Sequence, residues 1–240
     1  MNAQTMLLLC CGAWLPALAA DPVCEARSGP TAPVVVELYT SEGCSSCPPA
    51  DRWLSTLKGR DDVLALAFHV DYWDRLGWAD RFASAEATQR QSMLANTFGS
   101  DTVYTPQVVA NGQDWRAWRG APRLPAPEHG APVALALVRD GQRVTATVGA
   151  AGATRRLGGY WAVLEDGHVS RVGAGENRGE TLRHDHVVRL YRPLSEWNAG
   201  ETRRWVLDVL PGVAAHPRRV AFVVVDARTQ RPLQAVQLSC

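Results

Sequence analysis

Cys44 and Cys47 stand with two residues between them in the run Tyr39-Thr40-Ser41-Glu42-Gly43-Cys44-Ser45-Ser46-Cys47. The run follows an apolar, β-branched stretch at residues 34–40 and precedes a stretch of helical spacing at 51–57. Sulfurs at this spacing can cycle between dithiol and disulfide, or clamp a soft metal. At a strand-to-helix junction the first sulfur meets unpaired backbone N–H groups and the positive end of the helix dipole, both of which favour the thiolate. Lowering a thiol pKa from about 8.5 to about 5.5 raises the thiolate fraction at neutral pH roughly thirtyfold, partly offset by weaker intrinsic nucleophilicity. Cys44 is therefore the candidate nucleophile and Cys47 the resolving thiol. The competing reading is an inert disulfide that staples a loop. Pro48 and Pro49 belong in a first helical turn, which would start the helix after Cys47 and weaken the dipole's hold on Cys44.

Other chemistry-bearing residues are less specific. His69 and Asp71 share a strand face near the carboxyl end of a strand, and with the two cysteines they offer a Cu(I) or Zn(II) site, against the commoner outcome of a hydrogen-bonded structural histidine. His184 and His186 read as ordinary surface histidines. Trp73, Trp78, Trp115 and Trp118 either line a peptide groove or pack the interior, and packing is the commoner use. Thr105-Pro106 opens a strand with a residue that cannot donate to a ladder, a frequent place for a cis peptide. Gly175 to Gly179 reads as a tight turn. The chain has no Walker loop, dinucleotide glycine fingerprint, G-x-S-x-G elbow or H-E-x-x-H, which removes the common nucleotide, hydrolase and zincin chemistries.

These residues need elements to hold them. Residues 34–40 and 63–70 read as strands, 51–57 and 80–98 as helices, and Phe82, Ala85, Met93, Leu94 and Phe98 as the core side of the second helix. Residues 103–109 form a further strand, Asn111-Gly112 a hairpin turn, and Trp115 to Trp118 the returning strand. Residues 33–120 are thus expected to form one α/β domain. Residues 121–132, APRLPAPEHGAP, read as a stiff connector. Beyond it, short β-like runs at 133–138, 144–148, 160–165, 168–172, 186–191, 204–210, 219–225 and 233–238 predict a β-sandwich over 133–240.

Residues 1–20 read as a signal peptide, with the apolar run MLLLCCGAWLPALAA and a small-residue site near Ala19 or Ala20, although residues 1–5 lack the usual basic charge. A lipid-anchoring site at Cys10 is disfavoured by Leu9 before it. Export to the periplasm or outside the cell is the expectation, with no transmembrane segment. Cleavage leaves Cys24, Cys44, Cys47 and Cys240; beyond the close pair, Cys24 and Cys240 either join the two chain ends or stay free. With 25 Lys+Arg against 24 Asp+Glu, a net charge of +1 offers no basic field for nucleic acid. Hydrophobic residues at 46% and charged residues at 20% argue against wholesale disorder.

The order strand, C-x-x-C, helix, strand, helix, Thr-Pro, hairpin resembles the thioredoxin fold, and Tyr39 to Cys47 resembles the glutaredoxin form of its active site. More narrowly, VVVELYTSEGCSSCPPADRWL, VLALAFHVDYWDRLGWADRFAS and VYTPQVVANG resemble the exported thioredoxin-like family catalogued as domain of unknown function 1223. GENRG at residues 175–179 and the VVRLY strand extend the likeness into the second half. The resemblance implies an α/β plus all-β chain, an N-terminal thioredoxin-like domain followed by a C-terminal β-sandwich. It implies that Cys44 and Cys47 are the redox pair. Thr105 and Pro106, with Tyr104 beside them, would present backbone to an extended substrate, and Glu37 would approximate a buried acid that shuttles a proton to Cys47. The function expected on this basis is thiol-disulfide exchange with exported protein thiols or disulfides or with small thiols, with no cofactor and an unknown redox partner. A copper carrier or a non-catalytic binding module is the alternative.

Overall fold

The structure, a computed structural model, describes residues 24–120, 123–126, 132–152 and 155–240. The expected leader at residues 1–20 and part of the connector lie outside the described residues. No helix among the described residues is long and apolar enough to cross a membrane.

In chain order the elements are β1 (Cys24–Arg27), β2 (Val34–Thr40), α1 (Pro48–Ser55), β3 (Val63–His69), α2 (Ala85–Thr97), β4 (Gln107–Ala110) and β5 (Gln113–Asp114). They continue with β6 (Leu135–Asp140), β7 (Arg143–Val148), β8 (Arg156–Glu165), β9 (His168–Arg171), β10 (Thr181–His184), β11 (Val187–Asn198), β12 (Arg203–Asp208), β13 (Arg218–Asp226) and β14 (Pro232–Leu238). One eight-stranded sheet runs β14-β13-β8-β11-β3-β2-β4-β5, a four-stranded antiparallel sheet runs β1-β6-β7-β12, and β9 and β10 form a hairpin.

This corrects the expected fold class of an N-terminal thioredoxin-like α/β domain followed by a separate β-sandwich. Among the described residues two α-helices stand against fourteen strands, and the largest sheet draws strands from both sides of the connector. The join is the parallel contact of β11 with β3, where Val187 faces Ala67 and the Ala67 N–H donates to the His186 carbonyl at 2.8 Å.

Side-chain parity explains how one sheet serves both halves. Alternate residues of a strand face opposite sides. Val36 and Leu38 of β2 and Ala65 and Ala67 of β3 pack under α1 with Ala50 and Leu54. On the same face, Trp161 and Val163 of β8 and Phe222 and Val224 of β13 pack on Leu137, Val144 and Ala146 of the four-stranded sheet. On the opposite face Tyr39, Leu66 and Phe68 are continuous with Tyr160, Ala162, Val223 and Ala235, covered by Ala87 and Leu94 of α2. β2, β3 and most of β8 and β13 are therefore buried on both sides.

Local outcomes differ from expectation in ways that matter for the site. α1 starts at Pro48 with Cys47 as its N-cap, as two prolines at a helix start dictate. α2 starts later than residue 80, because the Ser84 hydroxyl accepts from the Ala87 N–H and caps it there. Residues 103–106 are not strand, and the strand returning after the Asn111-Gly112 turn is β5; Arg116–Arg119 then form a 3-10 turn. Cys24 and Cys240 are disulfide-bonded, joining the ends of the described chain.

Candidate functional site

Thr40 ends β2 in the middle of the large sheet, and Ser41 to Cys47 carry the chain from there to α1. The Cys44 N–H donates to the Ser41 carbonyl at 3.1 Å and the Cys47 N–H to the Cys44 carbonyl at 3.2 Å, so the segment is a pair of tight turns. A Cβ at Gly43 would lie 3.1 Å from that of Trp73, which leaves little room there for any larger residue. Cys44 and Cys47 are oxidised to a disulfide with a Cα–Cα distance of 5.4 Å. Both cysteines are 0% exposed, while Ser45 and Ser46 between them are exposed. Cys44 lies ahead of the helix proper, so the dipole acts first on Cys47.

The Thr105-Pro106 corner faces this turn. Its peptide is cis. The Ser46 hydroxyl donates to the Thr105 carbonyl at 3.5 Å, and Cys44 Sγ lies 3.4 Å from Ser46 Oγ. Trp73 Nε1 donates to Thr105 Oγ1 at 2.8 Å, and Gln91 of α2 donates to the Tyr104 carbonyl at 2.8 Å, which fixes the corner from two elements. An open cavity of about 460 Å³ is lined by Ser46, Tyr104, Thr105, Pro106, Arg116, Trp118 and Arg119. The structure thus brings the Cys44–Cys47 turn, through Ser46, against Tyr104, Thr105 and Pro106.

Glu37 is not with them, and the proton-shuttle role expected for it finds no support. It sits one residue out of phase with Val36 and Leu38, on the α2 face of β2, opposite α1. There its carboxylate receives Arg90 Nε at 2.9 Å and Nη2 at 2.5 Å, the Tyr39 hydroxyl at 2.6 Å and the Tyr160 hydroxyl at 3.0 Å. A carboxylate so fully engaged holds a structural ion pair and has no free lone pair to offer a thiol.

The buried acid on the helix that Cys47 caps is Asp51. It lies four residues after Cys47 on α1, and its N–H donates to the Cys47 carbonyl at 3.2 Å, so the two side chains share one helix face. Burial pushes its carboxyl above the ordinary value, with the charges of His184 and His69 and a Thr40 hydrogen bond offsetting part of the rise. Behind the turn lies a buried polar cluster. The Asp80 carboxylate receives the Glu42 N–H at 2.9 Å and pairs with His69 Nδ1 at 2.6 Å; burial opposes its ionisation, but His69 outweighs burial and holds it at about 2. Glu42 accepts from Trp78 Nε1 at 2.7 Å and lies 3.2 Å from His184 Nε2. Burial raises the Glu42 carboxyl, and hydrogen bonds with His184, Ser170 and Trp78 bring it below the ordinary value.

His184 and His186 are therefore not surface histidines; they are 2% and 3% exposed. Asp71 is committed to Thr88, whose hydroxyl donates to it at 2.6 Å. Among the described residues no group of three His, Cys, Asp or Glu could hold a metal ion. Of the tryptophans, Trp115 and the buried Trp118 pack on Trp53 of α1, while Trp73 and Trp78 serve as hydrogen-bond donors that frame the turn. Gly175 to Gly179 turn out to lie against the dithiol: Asn177 Nδ2 donates to the carbonyls of Glu42 and Cys44, both at 2.9 Å. Asp51 was missed in the sequence, although its four-residue spacing from Cys47 at a helix start was the signal that could have found it. Asn177, more than 130 residues away, lay in the stretch read as a tight turn, and nothing in it pointed to the dithiol.

Fold and site together define a strand-rich protein with an oxidised Cys-x-x-Cys at the end of a central strand, faced by a cis X-Pro corner. The chain belongs to the family described as protein of unknown function DUF1223, whose model matches residues 35–225. It is similar to the crystal structure of protein AGR_C_4864 from Agrobacterium tumefaciens, at 26% identity and a TM-score of 0.64 over 88% of this chain and 96% of that one. It also shares its fold with HBP35 of Porphyromonas gingivalis, at 19% identity and a TM-score of 0.56 over 87% of this chain and 75% of that one. No curated protein matches it. Two disulfides in one chain suggest an oxidising environment.

Proposed function

We propose that the protein is an exported thiol-disulfide oxidoreductase, periplasmic or secreted, that exchanges disulfides with protein or small-thiol substrates through Cys44 and Cys47. The observation that carries this reading is the Cys44–Cys47 disulfide closed across an exposed Ser-Ser turn whose Ser46 meets the Thr105-Pro106 corner and lines an open cavity. In the forward direction the Cys44 thiolate attacks a substrate disulfide, and one substrate sulfur leaves as a thiolate that takes a proton from water. Cys47 gives its proton to Asp51 and attacks the mixed disulfide. The second substrate thiolate is expelled, and the Cys44–Cys47 disulfide forms. The reverse sequence oxidises substrate thiols.

Loop-entropy arithmetic favours exchange over a staple. A bridge between residues 216 apart contributes about 5 kcal/mol on the chain-entropy scale, whereas one spanning three contributes only about 2. Stapling of the termini is thus served by Cys24–Cys240. The experiment that tests the proposal titrates the full chain against mixtures of reduced and oxidised glutathione and follows alkylation of Cys44 with pH. A reversible two-electron equilibrium within the biological glutathione range, with Cys44 alkylated ahead of Cys47, is expected. A disulfide that glutathione cannot open, with an ordinary thiol once reduced, would mark a structural bridge.

Asp51→Asn separates stability from exchange. Because the Asp51 carboxyl is raised in the folded state, folding binds its proton more tightly than the unfolded chain does. Its contribution is most favourable below the unfolded value and is lost as pH rises through the raised folded value. Asn removes that loss, so thermal unfolding at pH 7 is expected to shift upward while resolution of a mixed disulfide slows about tenfold. A variant unchanged in both would remove Asp51 from the mechanism.

A further inference from the structure

The loop between β9 and β10 reaches over from the second half of the chain and grips the dithiol turn. Glu176 Oε2 accepts from the Ser45 N–H at 3.0 Å and from Ser45 Oγ at 2.7 Å, next to the two Asn177 bonds already described. The loop is built to hold this position. Its neck is closed by Val172 N–H to the Glu180 carbonyl at 2.9 Å and Gly179 N–H to the Val172 carbonyl at 2.8 Å. Asn177 is 6% exposed, and Gly173 lies so close to Trp78 that a Cβ there would meet the indole at 3.0 Å. Glu176 itself is exposed, so burial does not keep it there. The two Ser45 hydrogen bonds hold its carboxyl below the ordinary value, which makes it anionic at neutral pH.

The Ser45 N–H follows Cys44 directly in the chain and is a donor a Cys44 thiolate would otherwise draw on. Here a carboxylate occupies it and adds a negative charge at the residue next to Cys44. We propose that Glu176 is a positioning residue that opposes ionisation of Cys44 after reduction and thereby weights the pair toward its disulfide. The inference rests on the exchange reading and names a control on that same site. The other charged groups packed around the turn are Glu42 just ahead of it, Asp51 on α1, His69 and Asp80 behind it, His184 on β10, and Arg116 and Arg119 across the cavity. Among the described charged side chains, Glu176 alone bonds to the Cys44–Cys47 turn itself.

The test uses the reduced full chain and iodoacetamide, reading alkylation of Cys44 across pH without any turnover. Glu176→Gln keeps the size and an accepting oxygen but removes the charge. The variant's profile is expected to move to lower pH, with alkylation near neutral pH about three- to tenfold faster at low salt. The gap should close as salt approaches 1 M, because the charge is exposed and the screening length falls to about 3 Å. In the equilibrium with glutathione, two glutathione thiols reduce the protein disulfide to the dithiol and yield one glutathione disulfide. Glu176→Gln should shift that balance toward the dithiol by a similar factor, with Glu176→Asp close to wild type. Superimposed profiles for wild type and Glu176→Gln, in a protein that does exchange with glutathione, overturn the inference and leave the exchange reading standing. Thiols that never alkylate in either protein would remove both.

Discussion

Cys44→Ser is expected to abolish exchange, and Cys47→Ser to arrest it halfway, with one substrate thiol covalently held on Cys44. This pair of outcomes is the largest effect expected of any substitution in the chain. A serine hydroxyl is not appreciably ionised at neutral pH, so without Cys44 no attack on a substrate disulfide begins, and the rate should fall roughly a thousandfold or more. Without Cys47 the first step still runs, but the mixed disulfide has no neighbouring thiol to expel the substrate. Intact mass measured after mixing with glutathione disulfide should then gain one glutathione on Cys47→Ser and none on Cys44→Ser. Folding is not the confounder, because a bridge this short contributes only about 2 kcal/mol. The asymmetry follows from position: Cys47 is the helix N-cap with Asp51 one turn away, while Cys44 lies in the turn that touches Ser46 and faces the Thr105 corner. Equal trapping on either single variant would show two equivalent sulfurs and dissolve the assignment of roles.

The parts of the site legible in the sequence are those whose chemistry and spacing are local. Cys44 and Cys47, the prolines that start α1, the Asn111-Gly112 turn and the Thr105-Pro106 peptide each depend on residues within a few positions of one another. Individual strands of the second half were readable for the same reason. Their assembly was not. Leu157 to Glu165 of β8 is buried on both faces, and such a run looks the same whether it belongs to a sandwich or to the middle of a large mixed sheet. What decides is the docking of β11 against β3, a contact between residues 120 apart in sequence that no periodicity encodes. Glu176 and Asn177 escaped for a related reason: a Gly-flanked polar turn looks alike whether it meets solvent or, as here, the carbonyl of a cysteine. Glu37 illustrates the reverse error. A lone acid in an apolar strand does require a partner, but the partner is Arg90 on α2, which is not among the residues expected on the core side of that helix.

Arg90→Met is expected to destabilise the fold by about 3–5 kcal/mol, the range for removing one member of a buried ion pair. Arg90 and Glu37 are 1% and 3% exposed at their side chains, and the guanidinium also donates to the Tyr191 hydroxyl at 3.1 Å and lies 4.1 Å from the Tyr160 ring centroid. Without it the Glu37 carboxylate stays in an apolar layer with only two tyrosine hydroxyls as donors, a state more costly than the absence of both charges. Glu37→Leu added to Arg90→Met should therefore recover part of the loss, giving a strongly non-additive cycle in urea unfolding. Recovery stays incomplete because Tyr39 and Tyr160 then lack an acceptor, at about 1–3 kcal/mol each. The knot joins β2, α2, β8 and β11, the elements on either side of the β11–β3 contact, where a single residue pair is in register. It therefore supplies in side chains what the seam lacks in backbone pairing, and its loss should also speed amide exchange at Ala67 ahead of the interior of β8. Since it lies on the opposite sheet face from α1, the glutathione equilibrium of folded Arg90→Met should match that of wild type. A shifted equilibrium would return Glu37 to the chemistry, and a stability loss under about 1 kcal/mol would mean the seam holds without the knot.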